Sequence, residues 1–206
     1  MKLPIHVYTY NEDDVEKVVR KVVWLIEEPD PVKTSIAIPI YWTAEKTAEI
    51  NLKVLLAGQG ADELFGGYKR YVDDYLQYGR EKAQETILND IAEMHEANFE
   101  RDFKVCNYHN IELRLPFAAY EIAKFATALP LELKIERSKE TLRKLVLRRA
   151  AQNIGLPKSV VEKPKKAIQY TTGVAATLKK LAKNRGFSLK EYLQKMFQET
   201  FKEDGT

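Results

Sequence analysis

A chain of 206 residues is long enough to bury a core and holds one domain or at most two. It is 45% hydrophobic and 31% charged with a net charge of +3, a balance too weak to imply nucleic acid by itself, although it suits anionic ligands. Its one cysteine, Cys106, excludes an internal disulfide framework. No apolar run approaches a membrane span, and Met1-Lys2-Leu3-Pro4 does not lead into a signal-peptide core, so the expected address is the cytoplasm.

In chain order, Pro4 to Tyr8 alternates and reads as a short strand. Asn11-Glu12-Asp13-Asp14 opens a helix whose apolar face is Val15, Val18, Val19, Val22, Val23 and Ile26, with Pro29 and Pro31 as its stop. Thr34 to Ile40 reads as a loop or short extended piece, and Trp42 to Ile50 as a helix feeding a strand at Val54 to Leu56. Helices are then expected over Tyr71–Tyr78, Glu81–Glu100, Tyr120–Ala128 and Thr141–Gln152; a break at Gly155-Leu156-Pro157 precedes a last helix over Ser188–Phe201. This gives a single domain, residues 1–70 α/β and residues 71–206 mainly helical.

The stretch from Lys53 to Tyr68 reads as strand, tight turn and helix start, an arrangement that brings backbone and carboxylates close to an anion or Mg²⁺. Gly58-Gln59-Gly60 is not a dinucleotide fingerprint, because Glu63 stands where the third glycine belongs. On spacing alone, Asp62 and Glu63 could equally cap a helix and complement its dipole. The longer string AGQGADELFGGYKRY resembles the SGEGADELFGGY motif in the synthetase domain of glutamine-dependent asparagine synthetases and their relatives, of the ATP pyrophosphatase class. That resemblance implies a partial Rossmann-like parallel sheet of the adenine-nucleotide alpha-hydrolase type, with ATP and Mg²⁺ as cofactors. It also implies activation of a small carboxylate such as aspartate as its adenylate, followed by displacement of AMP by ammonia.

Further strings extend the likeness. Glu112-Leu113-Arg114-Leu115-Pro116-Phe117 resembles the family's E-x-R-x-P-F block, with Ala118-Ala119 where Leu-Asp is usual; an ion pair of Glu112 with Arg114 is the structural alternative. Leu129 to Ile135 resembles LPxxLKI, and Lys144 to Arg148 resembles KxxLR, where Arg148 faces an anion or is solvated or paired. Lys163-Pro164-Lys165 lies where the family has R-x-K. By itself it is a basic loop; the resemblance makes Lys165 the lysine that stabilises charge on the phosphate and the reacting adduct, with Lys163 in place of the arginine.

By the same resemblance, Asp62 binds Mg²⁺ and pyrophosphate, Gly58 and Gly60 lie against the nucleotide with Lys163, and Gln59 stands where an active-site glutamate is expected. A glutamine cannot act as a carboxylate does. The family's SGGxDS phosphate loop does not occur in the sequence. His6, His95, His109 and Cys106 suggest no metal cluster or nucleophile with its base. The expectation is therefore a gap in the sheet between a strand at Ile5–Tyr8 and one at Val54–Leu56. Another copy, a separate chain bearing the loop, or the rest of a longer protein would fill it. Two readings remain: part of an adenylating amide ligase, or a non-catalytic relative serving as a binding or assembly subunit. RNA binding has only charge behind it and ranks last.

Overall fold

The structure, a computed structural model, describes residues 4–139 and 142–202. They fall into two compact units. The first draws on Met1–Asn51, Lys104–Ile111 and Ala167–Thr206, and the second on Leu52–Phe103 and Glu112–Lys166. Each unit gathers segments distant in sequence, so neither follows a boundary at residue 70.

The first unit is helical. Helix α1, Glu12–Ile26, starts in a capping box: Asn11 Oδ1 accepts from the Asp14 amide at 3.1 Å, and Asp14 Oδ2 accepts from the Asn11 amide at 2.9 Å. Its period places Val15, Val19, Val22, Val23 and Ile26 in the core; Val18 packs at the margin. Pro31 does not merely end the preceding segment but begins α2, Pro31–Glu49, where a missing amide hydrogen costs nothing. The expected loop at Thr34–Ile40 is thus a helix. Pro39 lies buried inside it, and burial of Ala37, Ile38, Tyr41, Trp42 and Ala44 outweighs the lost backbone bond.

The expected strand at Pro4–Tyr8 is absent. Those residues have no regular structure, and Ile5 and Val7 are 82% and 81% exposed. Alternation alone cannot make a strand without a neighbour to bond its backbone. The core is completed by Val105 of α6 (Glu100–Tyr108), by α11 (Val174–Asn184), which follows the short α10 (Ile168–Thr171) and which the sequence reading missed, and by α12 (Leu189–Lys202). A second capping box, between Ser188 and Glu191, starts α12.

The second unit carries the sheet. Strand β1, Val54–Leu56, pairs in parallel with β2, Glu112–Arg114, Leu55 lying opposite Leu113. So β1 is paired with the E-x-R segment, which the sequence reading had not made a strand, and no strand at Ile5–Tyr8 forms to bound the expected gap. After the turn come α3 (Ala61–Phe65), α4 (Lys69–Tyr78) and α5 (Arg80–Met94). A π-helical turn, His95–Phe99, interrupts the single helix expected over Glu81–Glu100 before α6 begins. Helices α7 (Tyr120–Ala128), α8 (Leu145–Asn153) and α9 (Lys158–Val161) follow; the earlier start expected for α8, at Thr141, lies outside the described residues. One core cluster joins Tyr71, Val72, Ala83, Ile87, Leu131 and Ile135, another Leu64, Phe65 and Ala126. Secondary structure is mixed but mostly helical, with a small parallel sheet. No helix among the described residues is long and apolar enough to cross a membrane.

Candidate functional site

The turn after β1 is shaped by glycines at both ends of α3. Gly60 caps its start with φ +84° and Gly66 its end with φ +75°, both left-handed conformations that side chains disfavour. A Cβ on Gly67 would lie 1.7 Å from Asp62 Oδ1, so only glycine leaves room for that carboxylate. The Gly67 amide donates to the Asp62 carbonyl at 2.7 Å, and Arg143 Nε donates to the Gly67 carbonyl at 2.8 Å.

Asp62 thereby faces two cations. Lys144 Nζ stands 2.9 Å from Oδ1, and Lys165 Nζ stands 3.3 Å from Oδ2. Oδ1 is shielded from solvent, and its approach to Lys144 is a charge contact outside hydrogen-bond alignment. Lys144 holds a left-handed backbone, φ 60°, uncommon for a side-chain-bearing residue, as it leads into α8. One guanidinium ties the two lysine-bearing segments together: Arg148 donates from Nε to the Arg143 carbonyl at 2.7 Å, from Nη1 to that of Val161, and from Nη2 to that of Lys163 at 3.0 Å. Arg148, expected to face an anion or to be solvated or paired, directs its Nε, Nη1 and Nη2 donors to backbone carbonyls.

Lys165 also lies over the Tyr68 ring, 4.2 Å from its centroid. The Tyr68 hydroxyl donates to Glu63 Oε1 at 2.5 Å, and Asn98 Nδ2 donates to the same oxygen at 2.9 Å. Burial, then the negative charge of Glu63, raises the Tyr68 pKa, so the phenol keeps its proton and remains a donor.

Gln59 occupies a separate arm of the turn. Its Nε2 donates to Asp102 Oδ2 at 2.5 Å, while Asp102 Oδ1 accepts from Arg101 Nε at 2.7 Å. Asp102 and Arg101 are both buried, and burial raises the Asp102 pKa against the opposing pull of Arg101. A carboxylate acceptor orients the amide, nitrogen inward.

The structure brings Asp62 and Lys165 together and places Lys144, Glu63, Tyr68 and Asn98 around them. Gly58 is exposed, with nothing near the position of an added Cβ. Lys163 is exposed and enters the arrangement through its carbonyl. Glu112 and Arg114 form an exposed ion pair at 2.8 Å. Lys144 was visible in the KxxLR string, but nothing local showed that its ammonium reaches Asp62.

Among the described residues no group of three or more His, Cys, Asp or Glu side chains is placed to hold a metal ion. One carboxylate between two lysines instead fits an anion accompanied by Mg²⁺, since Mg²⁺ is commonly held by one or two carboxylates together with phosphate oxygens. Asp62 Oδ1 has no aligned hydrogen bond, and the missing Cβ at Gly67 gives its carboxylate room in the turn.

The pattern of the asparagine synthase family matches residues 1–79 and 76–204. A Methanocaldococcus jannaschii protein named "Putative asparagine synthetase [glutamine-hydrolyzing] 1" is 34% identical over 209 residues, covering 87% of this chain and 38% of the relative. The mouse asparagine synthetase domain-containing protein 1 is 34% identical over 64% of the chain and 21% of its own length. The pea root asparagine synthetase [glutamine-hydrolyzing] is 25% identical over 82% of the chain and 29% of its own length. The chain thus spans well under half the length of these relatives.

Proposed function

The chain belongs to the asparagine synthase family, and from that premise we propose that it is the carboxyl-terminal part of an ATP-dependent, adenylating amide ligase whose Asp62, Lys144 and Lys165 handle the pyrophosphate end of the nucleotide. The observation that carries this reading is the meeting of one shielded carboxylate with two ammonium groups from separate segments. On this reading β1, the glycine turn and α3 belong to a Rossmann-like parallel sheet of the adenine-nucleotide alpha-hydrolase type. The pairing of β1 with β2, with the turn at β1's carboxyl end, supports that.

The residues then divide the work. Asp62 would hold Mg²⁺, which when bound shields phosphate charge and supports departure of pyrophosphate. Lys144 and Lys165 would hold the negative charge that gathers on phosphate oxygens as the bond between the α-phosphorus and its bridging oxygen breaks. Arg148 keeps both lysines in reach by fixing the backbone of their segments. The carboxylate substrate would be of the aspartate type, activated as its adenylate and then converted to an amide.

The phosphate loop would come from outside these 206 residues, on another chain or a further part of the protein, while a second copy could only cover the open side of the sheet. Exposed apolar side chains in each unit, Ile5 and Val7 in the first and Leu56 in the second, support such a partner. A second reading, a non-catalytic relative acting as a binding or assembly subunit, is favoured by Gln59, whose amide is tied to Asp102 where the family resemblance expects a free acid.

Titration of the chain with Mg-ATP in a calorimeter separates the two. The ligase reading expects Mg²⁺-dependent heat that Asp62→Ala removes. No heat at millimolar nucleotide, alone and with the loop-bearing partner, supports the non-catalytic reading instead.

A further inference from the structure

Lys165 has a flexible stem and stands in the Lys163–Ala167 stretch, which has no regular secondary structure. Its contact with Asp62 is one ion pair of 3.3 Å between side chains each about a quarter exposed, too weak by itself to fix an ammonium in one place. Tyr68 supplies a second attachment, because a cation over an aromatic face is held by the ring's electron-rich centre.

We propose that Tyr68 is a positioning residue that seats the Lys165 ammonium beside Asp62, with Glu63 and Asn98 locking the ring. The ring cannot drift, since its hydroxyl is bonded to Glu63, which is 3% exposed and also accepts from Asn98. Donation of the phenol proton towards a carboxylate enriches the ring and strengthens its hold on a cation. Arg70, the other cation near this ring, is 4.4 Å from the centroid and is engaged by Asp90, so it does not compete for Asp62. Lys165 can therefore turn its charge from Asp62 to an incoming phosphate oxygen without leaving the ring.

The seat is a property of the chain itself, while the ligand it serves rests on the function proposed above; the test keeps them apart. The full chain is labelled at lysine carbons, the Lys165 signal is assigned by its loss in Lys165→Arg, and binding of inorganic pyrophosphate with Mg²⁺ is measured alongside. In the wild type the Lys165 ε-methylene protons resonate upfield of other lysines, shielded by the ring. In Tyr68→Leu they return to the ordinary lysine position, pyrophosphate binds about tenfold more weakly, and a further Lys165→Ala change adds little. Tyr68→Phe, which keeps the ring and loses the Glu63 bond, gives intermediate values.

An ordinary Lys165 signal in the wild type overturns the proposal even if Tyr68→Leu fails to fold. So does an unchanged signal in a folded Tyr68→Leu protein. A ring-shifted signal in a wild type that binds no pyrophosphate, alone or with the loop-bearing partner, upholds the seat and contradicts the proposed function.

Discussion

The two arms of the glycine turn hold their polar side chains in opposite ways. Asp62 is one carboxylate between two lysines, partly open, with an oxygen that no aligned hydrogen bond satisfies. Gln59, three residues earlier, is a neutral amide bonded to a buried carboxylate that already has its own arginine. The first arm can exchange partners with an arriving anion. Exchange at the second would leave a buried carboxylate one bond short, which carries a large desolvation cost. The turn thus carries an exchangeable charge contact on the Asp62 side and a fixed neutral contact on the Gln59 side.

The sharpest way to break this contrast is Asp62→Ala. Mg²⁺-dependent pyrophosphate binding should vanish in calorimetry, whereas metal-free pyrophosphate should bind no worse than before, because two lysines lose an anionic competitor. Next, Lys144→Ala or Lys165→Ala should each weaken pyrophosphate about tenfold or more, the scale of a hydrogen bond to a charged group. Equal binding by either variant and the wild type would remove that lysine from the site.

Gln59→Glu tests the other arm through stability. Asp102 already has a raised folded-state pKa, chiefly from burial. A group of that kind stabilises the fold at low pH, and the stabilisation is lost as pH rises from the unfolded value through the folded one. A second carboxylate at position 59 deepens the loss by like-charge repulsion. Denaturant unfolding should show Gln59→Glu destabilised by about 1–3 kcal/mol at neutral pH, with the deficit shrinking as pH falls into the acid range. The smallest effect belongs to Lys163→Ala, since the Lys163 carbonyl makes the observed bond: less than about 0.5 kcal/mol in stability, typical of a surface change, and pyrophosphate binding little altered.

Local signals were legible wherever a short segment carries its own reason to fold. The Asn11–Asp14 capping box and the valine period located α1, and the small-residue turn with its acidic pair located the start of α3, whose end at Gly66 was not read. Readings failed where a partner decides the outcome. Thr34–Ile40 read as a loop, but burial on either side of Pro39 keeps α2 helical. Ile5 and Val7 alternate like a strand yet have no strand beside them, and Glu112–Arg114 became one only because β1 lies alongside. Helix α11 did carry a signal, with Val174, Ala175, Leu178, Leu181 and Ala182 at helical spacing.

In the site, Asp62 and Lys165 were readable from the family likeness, while the reach of Lys144 and the Glu63, Tyr68 and Asn98 brace arise from packing of segments up to about a hundred residues apart. No spacing rule exposes such contacts.

If Asp62 is the Mg²⁺ ligand proposed above, anion binding at this turn depends on Mg²⁺. The most direct measurement is calorimetric titration of inorganic pyrophosphate into the wild type and Asp62→Ala, each with and without Mg²⁺. On that assignment, Mg²⁺ should strengthen binding in the wild type and have no effect in the variant. The same response to Mg²⁺ in both proteins would contradict it.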